Sequence, residues 1–255
     1  MLNYVLMAGD AQVLTQLRVC IASLALVATD KSNYTVVVAY DGDLTAARWA
    51  LTGLGVTVHV RALGDVPKCD NVVNGNFFLI NHPATLARLQ PMRYLPIGVD
   101  RALYVDADSL FVADPTPLFS MPLGGWYISV GGEITNLDKS NAGLLFYNLV
   151  AWQRDGLEKT ICNRMRSMPE PNDETVLKSV AWRRVRFTPM LHHMFGKWSS
   201  STVVVHFWQI KPWQRKWSAF APAWFALAHD LPKPICWLCL MFGIQLYGRV
   251  DGGWR

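Results

Sequence analysis

The chain has 255 residues, of which 51% are apolar and 17% are charged, and its mean hydropathy is +0.16. The charged fraction lies below the roughly 25% that is usual in soluble domains, and the apolar fraction is slightly above average, so the composition excludes a disordered or fibrous protein. At this length we expect one large domain with a substantial core.

The net charge of +5 comes from scattered clusters of basic residues. The densest of them are Arg164–Arg166, Arg183–Arg186 and Lys211–Lys216. The sequence has no basic tail or stripe of the kind that dominates nucleic-acid binding, so we do not expect nucleic acid as a partner. The excess positive charge instead favours a phosphorylated ligand or an anionic membrane surface.

The cysteines indicate a reducing environment. There are five of them, irregularly spaced, at Cys20, Cys69, Cys162, Cys236 and Cys239. Because the first ten residues also lack the charged and apolar regions of a signal peptide, we expect a cytoplasmic protein. The single C-x-x-C at Cys236–Cys239 has no second pair of ligands near it and predicts two buried thiols in an apolar helix.

Strands and helices alternate along the first sixty residues. The sequence predicts strand, helix, strand, helix and strand, in that order, at Asn3–Met7, Leu14–Ala28, Thr35–Ala39, Leu44–Leu54 and Val56–Val60. This order is typical of a parallel sheet covered by helices, so we expect a Rossmann-like α/β fold. Ligands of such sheets bind beyond the carboxyl ends of the strands, which makes Met7–Asp10 a candidate segment. The sequence contains neither G-x-G-x-x-G nor a P-loop, so an NAD-binding protein or an ATPase loses its main support.

The middle of the chain continues the same pattern after a loop at Gly64–Pro83. We predict a helix at Ala84–Leu95 and a strand at Arg101–Val105 that runs directly into Asp106-Ala107-Asp108. The later predicted elements are a strand at Trp126–Val130, an apolar run at Gly143–Leu149, a helix ending at Met168, a helix near Asp173–Val180 and a strand at Val203–His206. No linker is long or polar enough to divide the chain.

The last forty residues or so differ from the rest in composition. Eight of the eleven tryptophans lie in the C-terminal third, and Ile235–Tyr247 is almost uninterrupted in apolar character over thirteen residues. A span of the bilayer needs about 20 such residues, so this segment is too short to cross a membrane. Two interpretations stay open: a core helix, or a helix that lies in the membrane interface between Lys233 and Arg249.

Two carboxylates follow the strand Arg101–Val105. Asp106 and Asp108 stand at positions i and i+2, whose side chains point to the same side of extended backbone. Converging carboxylates suit a hard divalent cation that completes its ligand shell with substrate phosphates. An isolated Asp-x-Asp is more often a solvated turn, so the interpretation depends on the rest of the sequence.

Four further motifs surround this pair. They are Arg88 in the helix before it, Ser140-Asn141-Ala142-Gly143, Asn172-Asp173-Glu174-Thr175, and His206-Phe207 followed by Lys211-Pro212-Trp213. In this order and spacing the chain resembles glycosyltransferase family 8 over roughly residues 3–213. The resemblance implies a GT-A fold, in which a Rossmann-like mixed sheet flanked by helices binds a UDP-sugar and Mn²⁺, with Mg²⁺ as the alternative. It divides residues 1–216 into a donor-binding half, about 1–115, and an acceptor half, about 116–216, followed by the Trp-rich C-terminal extension 217–255.

The resemblance also assigns roles to residues. It implies Asp106, Asp108 and His206 as metal ligands, and Asp173 and Glu174 as the catalytic pair. The implied nucleotide-sugar-binding residues are Ala8, Gly9, Asp10, Arg88, Asp106, Ala107, Asp108, Asn141, Ala142, Gly143 and Lys211.

Three departures from the family pattern bear on these roles. Glu174 replaces the glutamine of the family, and a carboxylate there is suited to stabilise an oxocarbenium-like state or to act as a nucleophile. The segment His206–Trp213 is one residue shorter than usual and lacks its glycine, which changes the path of the loop that carries Lys211. Val13 stands where an aromatic residue often follows the uracil-binding segment.

The predicted function is a metal-dependent, retaining glycosyltransferase that moves a hexose or pentose from a UDP-sugar to a saccharide, lipid-linked or protein acceptor. The alternatives are a catalytically degenerate nucleotide-sugar-binding or scaffold protein, and a nucleotidyltransferase. A nucleotidyltransferase shares the sheet and the paired carboxylates, but it does not explain His206 or the Lys-Pro-Trp segment. Peripheral membrane contact through the C-terminal extension is a further hypothesis.

Overall fold

A seven-stranded mixed sheet lies at the centre of the fold. The computed structural model describes residues 2–64, 83–131, 141–168, 172–193, 199–207, 211–213, 220–229, 233, 236–237 and 239–240. The strands of the large sheet are β1 Asn3–Asp10, β2 Tyr34–Asp41, β3 Thr57–Ala62, β4 Arg101–Val105, β6 Ile128–Val130, β7 Leu144–Asn148 and β8 Val185–Phe187. They lie side by side in the order β3-β2-β1-β4-β7-β6-β8. A second sheet, in the order β5-β10-β9, consists of β5 Ser109–Phe111, β9 Leu191–His193 and β10 Val204–His206.

The sheet is parallel in its first half because helices connect its first strands. β1 pairs with β2 in register from Asn3↔Tyr34 to Asp10↔Asp41, and it pairs with β4 on its other side. β7 is antiparallel to both β4 and β6. Seven of the eight residues of β2 are buried, as expected for a strand with helices on both faces. The predicted mixed α/β sheet is confirmed.

The α-helices that flank the sheets are mostly short. They are Leu14–Val27, Leu44–Ala50, Pro91–Tyr94, Thr116–Phe119, Leu149–Arg154, Leu157–Ser167, Asp173–Val180 and Ala221–Ala228.

Three predicted helices are wrong in extent. The helix predicted at Leu44–Leu54 ends at Ala50, ahead of Gly53, whose φ of +78° does not fit a helix. The predicted helix Ala84–Leu95 is a 3₁₀ helix, Pro83–Leu89, followed by a single α-turn, Pro91–Tyr94. Pro91 explains the break, because a proline ring does not fit inside a continuous helix but is tolerated in the first turn of a new one. The predicted helix ending at Met168 is two helices, separated at Gly156, whose φ of +60° favours glycine.

The core lies on both faces of the large sheet, and the described part of the C-terminal extension joins it. Phe220 and Ala223 are fully buried and Trp224 is 8% exposed, all within the same core cluster as the helix Leu14–Val27. Of the two thiols predicted to be buried, Cys236 is buried in that cluster, whereas Cys239 is only half-buried and packs against it. The flank of the helix Leu14–Val27 provides the core surface that these residues join.

Several predictions concern residues outside the described part of the chain. They are Cys69, most of the loop Gly64–Pro83, and all but four residues of Ile235–Tyr247. Among the described residues, no helix combines the length and the apolar character that crossing a membrane requires.

Candidate active site

The segment between β4 and β5, together with the strand β10, brings Asp106, Asp108 and His206 together. Asp106 and Asp108 lie between β4 and β5, and β10 pairs antiparallel with β5 so that His206 lies opposite Ser109. The backbone N–H of Phe207 donates to the carbonyl of Asp108 at 2.9 Å, which extends this pairing by one residue. Strand register therefore places the imidazole beside the two carboxylates.

The three side chains form a compact cluster of ligand atoms. His206 Nε2 lies 3.1 Å from Asp108 Oδ1 and 3.8 Å from Asp106 Oδ2, and one ligand atom from each residue falls within 4.8 Å of the others. His206 is 2% exposed. Within the described ranges, no other three His, Cys, Asp or Glu residues gather in this way. Two carboxylates and an imidazole fit a divalent cation such as Mn²⁺.

Both carboxylates also contact cationic side chains. The ammonium of Lys211 contacts Asp108, and Arg88 Nη2 lies 2.8 Å from Asp106 Oδ1, which accepts a hydrogen bond from the Tyr104 hydroxyl at 2.8 Å as well. Burial raises the pKa of Asp108, but His206 and Lys211 lower it more strongly, so the net shift is downward. Asp108 is therefore ionised at neutral pH.

Arg88 connects this cluster to the predicted catalytic pair. Its Nη1 lies 3.1 Å from Asp173 Oδ2, while its Nη2 holds Asp106. The residue is only 5% exposed, and its guanidinium carbon lies 4.9 Å from the centre of the Tyr104 ring. Burial lowers the pKa of Arg88, but Asp106 and Asp173 are among the groups that raise it, and the net shift is upward. This arginine is a fixed cation between two carboxylates.

The segment Asn141–Gly143 forms a second connection. Asn141 Nδ2 donates to Glu174 Oε1 at 2.9 Å, and Asn141 Oδ1 accepts from the N–H of Gly143 at 2.7 Å. The carbonyl of Gly143 accepts from the N–H of Asp106 at 2.8 Å. Glu174 lies in the first turn of the helix Asp173–Val180, which Asn172 caps through a capping box. Glu174, Asn141 and Asp106 therefore belong to one hydrogen-bonded chain.

A cavity of about 300 Å³ opens beside the cluster. The predicted residues that line it are Ala8, Gly9, Asp10, Arg88, Asp106, Ala107, Asp108 and Lys211. Six predicted residues are not in its lining: Asn141, Ala142, Gly143, Asp173, Glu174 and His206. Five of them connect to Asp106, Asp108 or Arg88 through the contacts given above, and Ala142 lies between Asn141 and Gly143.

Six lining residues were not predicted. They are Val13, Gln16, Ala84, Thr85, Tyr104 and Trp213. Three of them had a signal in the sequence: Val13 follows the predicted uracil-binding segment, Tyr104 lies in the strand that runs into Asp106, and Trp213 ends the Lys-Pro-Trp segment.

The architecture and site define a glycosyltransferase with a GT-A fold. The family model "Glycosyl transferase family 8" matches residues 5–217, and the chain belongs to this family. A comparison with curated protein sequences finds no match.

Solved structures show the same fold at low sequence identity. The galactosyltransferase LgtC, in complex with donor and acceptor sugar analogues, superimposes with a TM-score of 0.70 at 21% identity over 89% of this chain and 96% of that one. An active-site mutant of LgtC gives 0.71 at 21% identity and the same coverage. The glycosyltransferase GlyE of Streptococcus pneumoniae TIGR4 gives 0.64 at 15% identity, over 96% of this chain and 64% of that one.

Proposed function

We propose that this glycosyltransferase is metal-dependent and retaining, and that it moves a hexose or pentose from a UDP-sugar to the hydroxyl of a saccharide, lipid-linked or protein acceptor. The observation that carries the proposal is the cluster of Asp106, Asp108 and His206 at the edge of a ligand-sized cavity. The sugar analogues in the LgtC complex support a site that takes both a donor and an acceptor.

The leaving group of such a reaction is a nucleoside diphosphate, whose negative charge must be neutralised. Asp106, Asp108 and His206 would hold Mn²⁺, or Mg²⁺ in its place. When bound, the ion would supply Lewis-acid stabilisation of the diphosphate. Lys211 would add a second positive charge, because its ammonium already lies at Asp108.

The donor must also be held with its anomeric carbon exposed. Ala8, Gly9, Asp10 and Ala107 would bind the nucleoside, since they line the cavity at the carboxyl ends of β1 and β4. Arg88, Asn141, Ala142, Gly143 and Asp173 would position the sugar and its phosphates. The rigid connections among Arg88, Asp106 and Asp173 support such orientation, because they fix these groups before the substrate arrives.

Glu174 is proposed to act at the anomeric carbon. The bond between this carbon and the diphosphate oxygen breaks, and the acceptor oxygen forms its bond on the same face. The carboxylate of Glu174 would stabilise the positive charge that develops, or would form a transient glycosyl bond from the opposite face. The acceptor proton goes to the leaving phosphate or to Glu174.

The decisive experiment measures UDP release and sugar transfer over a panel of UDP-sugars with Mn²⁺. We expect Asp106→Ala and Asp108→Ala to abolish both, whereas the control Asp100→Ala, at the opposite end of the same strand, retains them. Full transfer by the Asp106 or Asp108 variants would exclude the metal-centred scheme. Donor binding without turnover would support the scaffold alternative, and transfer of the nucleotide would support a nucleotidyltransferase.

A second measurement tests the proposed role of Glu174. Glu174→Gln keeps an oxygen that can accept the Asn141 hydrogen bond but removes the charge. We expect a lower kcat with an unchanged KM for the donor. An unchanged kcat would remove Glu174 from the reaction.

A further inference from the structure

A second cavity, of about 820 Å³, lies away from the active site. It opens between the helix Leu157–Ser167, the end of the helix Asp173–Val180 and the turn at Arg183 and Arg184. Two of the three basic clusters of the sequence thereby come together, since Arg164, Arg183 and Arg184 line the same space. We call this cavity the arginine groove.

The arginine groove lies toward the opposite end of the strands of the large sheet from the Asp-Asp-His cluster. Tyr127, which lines the groove, accepts a hydrogen bond from the N–H of Asn148, and Asn148 pairs with Arg101 at the start of β4. Asp106 follows the other end of that strand. Five residue steps of about 3.3 Å separate the level of Tyr127 from that of Asp106 by about 17 Å, so a donor bound at Asp106 does not reach that end of the groove.

The charges of the groove are unbalanced. Arg184 pairs with Asp155 at 3.3 Å and lies over the ring of Tyr127 at 5.2 Å. In the described part of the chain, the structure records no ion pair for Arg164 or Arg183, and no acidic residue is among the groove's lining residues. Two guanidinium groups therefore face one cavity with their donors available for a carboxylate, sulfate or phosphate.

The rest of the lining favours a saccharide over other anionic ligands. Thr160, Ser167, Ser179 and Asn163 contribute hydroxyl and carboxamide groups, which match the hydroxyl groups of sugars. The large apolar side chains that are exposed in the described chain lie elsewhere, so the groove lacks the apolar contact that a membrane surface would need. Its single aromatic ring, Tyr127, is covered by Arg184, so it does not offer the stacking that single-stranded nucleic acids use.

We propose that the arginine groove is a second binding site, which takes an anionic saccharide through Arg164 and Arg183. Its distance from the active site suits a chain of several sugars better than a monosaccharide. If the occupant is part of the acceptor, the groove would raise the effective concentration of acceptor ends at the active site, and this role rests on the proposed function. The binding of the saccharide to the groove does not depend on the proposed function.

The test measures, by titration calorimetry, the binding of a sulfated dextran oligosaccharide to the full chain. We expect binding that weakens with salt, no binding of neutral dextran of the same length, and no binding of phosphatidylglycerol vesicles. The double variant Arg164→Gln/Arg183→Gln should bind about tenfold more weakly or worse, since charge-assisted hydrogen bonds are lost, while its Tm stays unchanged. Arg61→Gln, at an exposed arginine on β3, is the matched control and should bind as the unaltered chain does.

The result that overturns the proposal is equal binding by the double variant and the unaltered chain. Equal binding of neutral dextran, or binding to vesicles in preference to the oligosaccharide, would also overturn it. Asp106→Ala separates this proposal from the proposed function: it should lose transfer but keep oligosaccharide binding. Loss of oligosaccharide binding in Lys211→Gln, which removes a positive charge from the active-site cavity, would place the ligand there and refute the second site.

Discussion

The contact between Gly143 and His206 gives the sharpest test of the metal site. A methyl group added at Gly143 would lie 2.3 Å from His206 Cε1 and 2.6 and 2.7 Å from its two ring nitrogens. Ordinary contacts of such a methyl are 3.4–4 Å, so the imidazole has to move by about an ångström or the backbone has to shift. Overpacking of this kind costs about 1–3 kcal/mol of stability. Displacement of a metal ligand by this amount should weaken metal binding about 10- to 100-fold.

The assay for Gly143→Ala is a titration of UDP release with Mn²⁺, together with urea unfolding. Gly125→Ala is the control, because a methyl added at Gly125 meets nothing within 4 Å and its φ is not positive. We expect Gly143→Ala to need far more Mn²⁺ for half-maximal activity, whereas Gly125→Ala behaves as the unaltered chain. If Gly143→Ala is destabilised yet keeps its full metal affinity, His206 is not a ligand and the proposed metal site is wrong.

Three further predictions concern buried ionisable groups. Arg88→Lys cannot bridge Asp106 and Asp173 at once, so urea unfolding should show a loss of about 1–3 kcal/mol and kcat should fall. Burial raises the pKa of Glu158 to about 7 from an ordinary 4.5, so the stability that the protonated acid contributes is present below pH 4.5 and is lost as the pH rises through 7. Glu158→Gln keeps an acceptor for the Met92 N–H, so its free energy of unfolding relative to the unaltered chain should rise by up to about 3 kcal/mol between pH 4.5 and 7. If the difference in unfolding free energy does not change with pH, the raised pKa of Glu158 is refuted. Burial lowers the pKa of His192 to about 4 from 6.5, so the unaltered chain should lose stability as the pH falls from 6.5 to 4. His192→Gln should show a smaller fall of Tm over this range.

Local sequence patterns predicted best the elements whose ends carry a clear signal. The strand Arg101–Val105 and the helix Asp173–Val180 have the predicted ends. The strand is an apolar run that stops at two aspartates, and the helix starts with a capping box, so both carry their boundaries in the sequence. β8 and β9 were not predicted, because a basic or imidazole side chain interrupts each of these short segments; β10 is equally short but continues the apolar run Val203–Val205.

The candidate site was predictable where its residues lie in one motif and less so where packing decides. Asp106, Asp108 and His206 followed from their motifs, and their proximity in space agrees with that prediction. Arg88 would ordinarily be solvated at a helix surface, yet it is 5% exposed beneath two carboxylates. Its burial depends on Asp173, which is 85 positions away in the sequence, and no local pattern reports such a partner.

The C-terminal extension adds a contribution to the site that its composition alone did not indicate. Trp213 lines the active-site cavity, and its ring lies 5.3 Å from that of Trp224 in the helix Ala221–Ala228. Trp224 is held in turn against Phe225 and the main core cluster. The wall of the cavity that Trp213 forms therefore rests on residues beyond the family match, which ends at residue 217. Because aromatic pairs of this kind contribute about 0.5–1.5 kcal/mol beyond their buried area, the described part of the extension both completes the core and fixes one side of the ligand cavity.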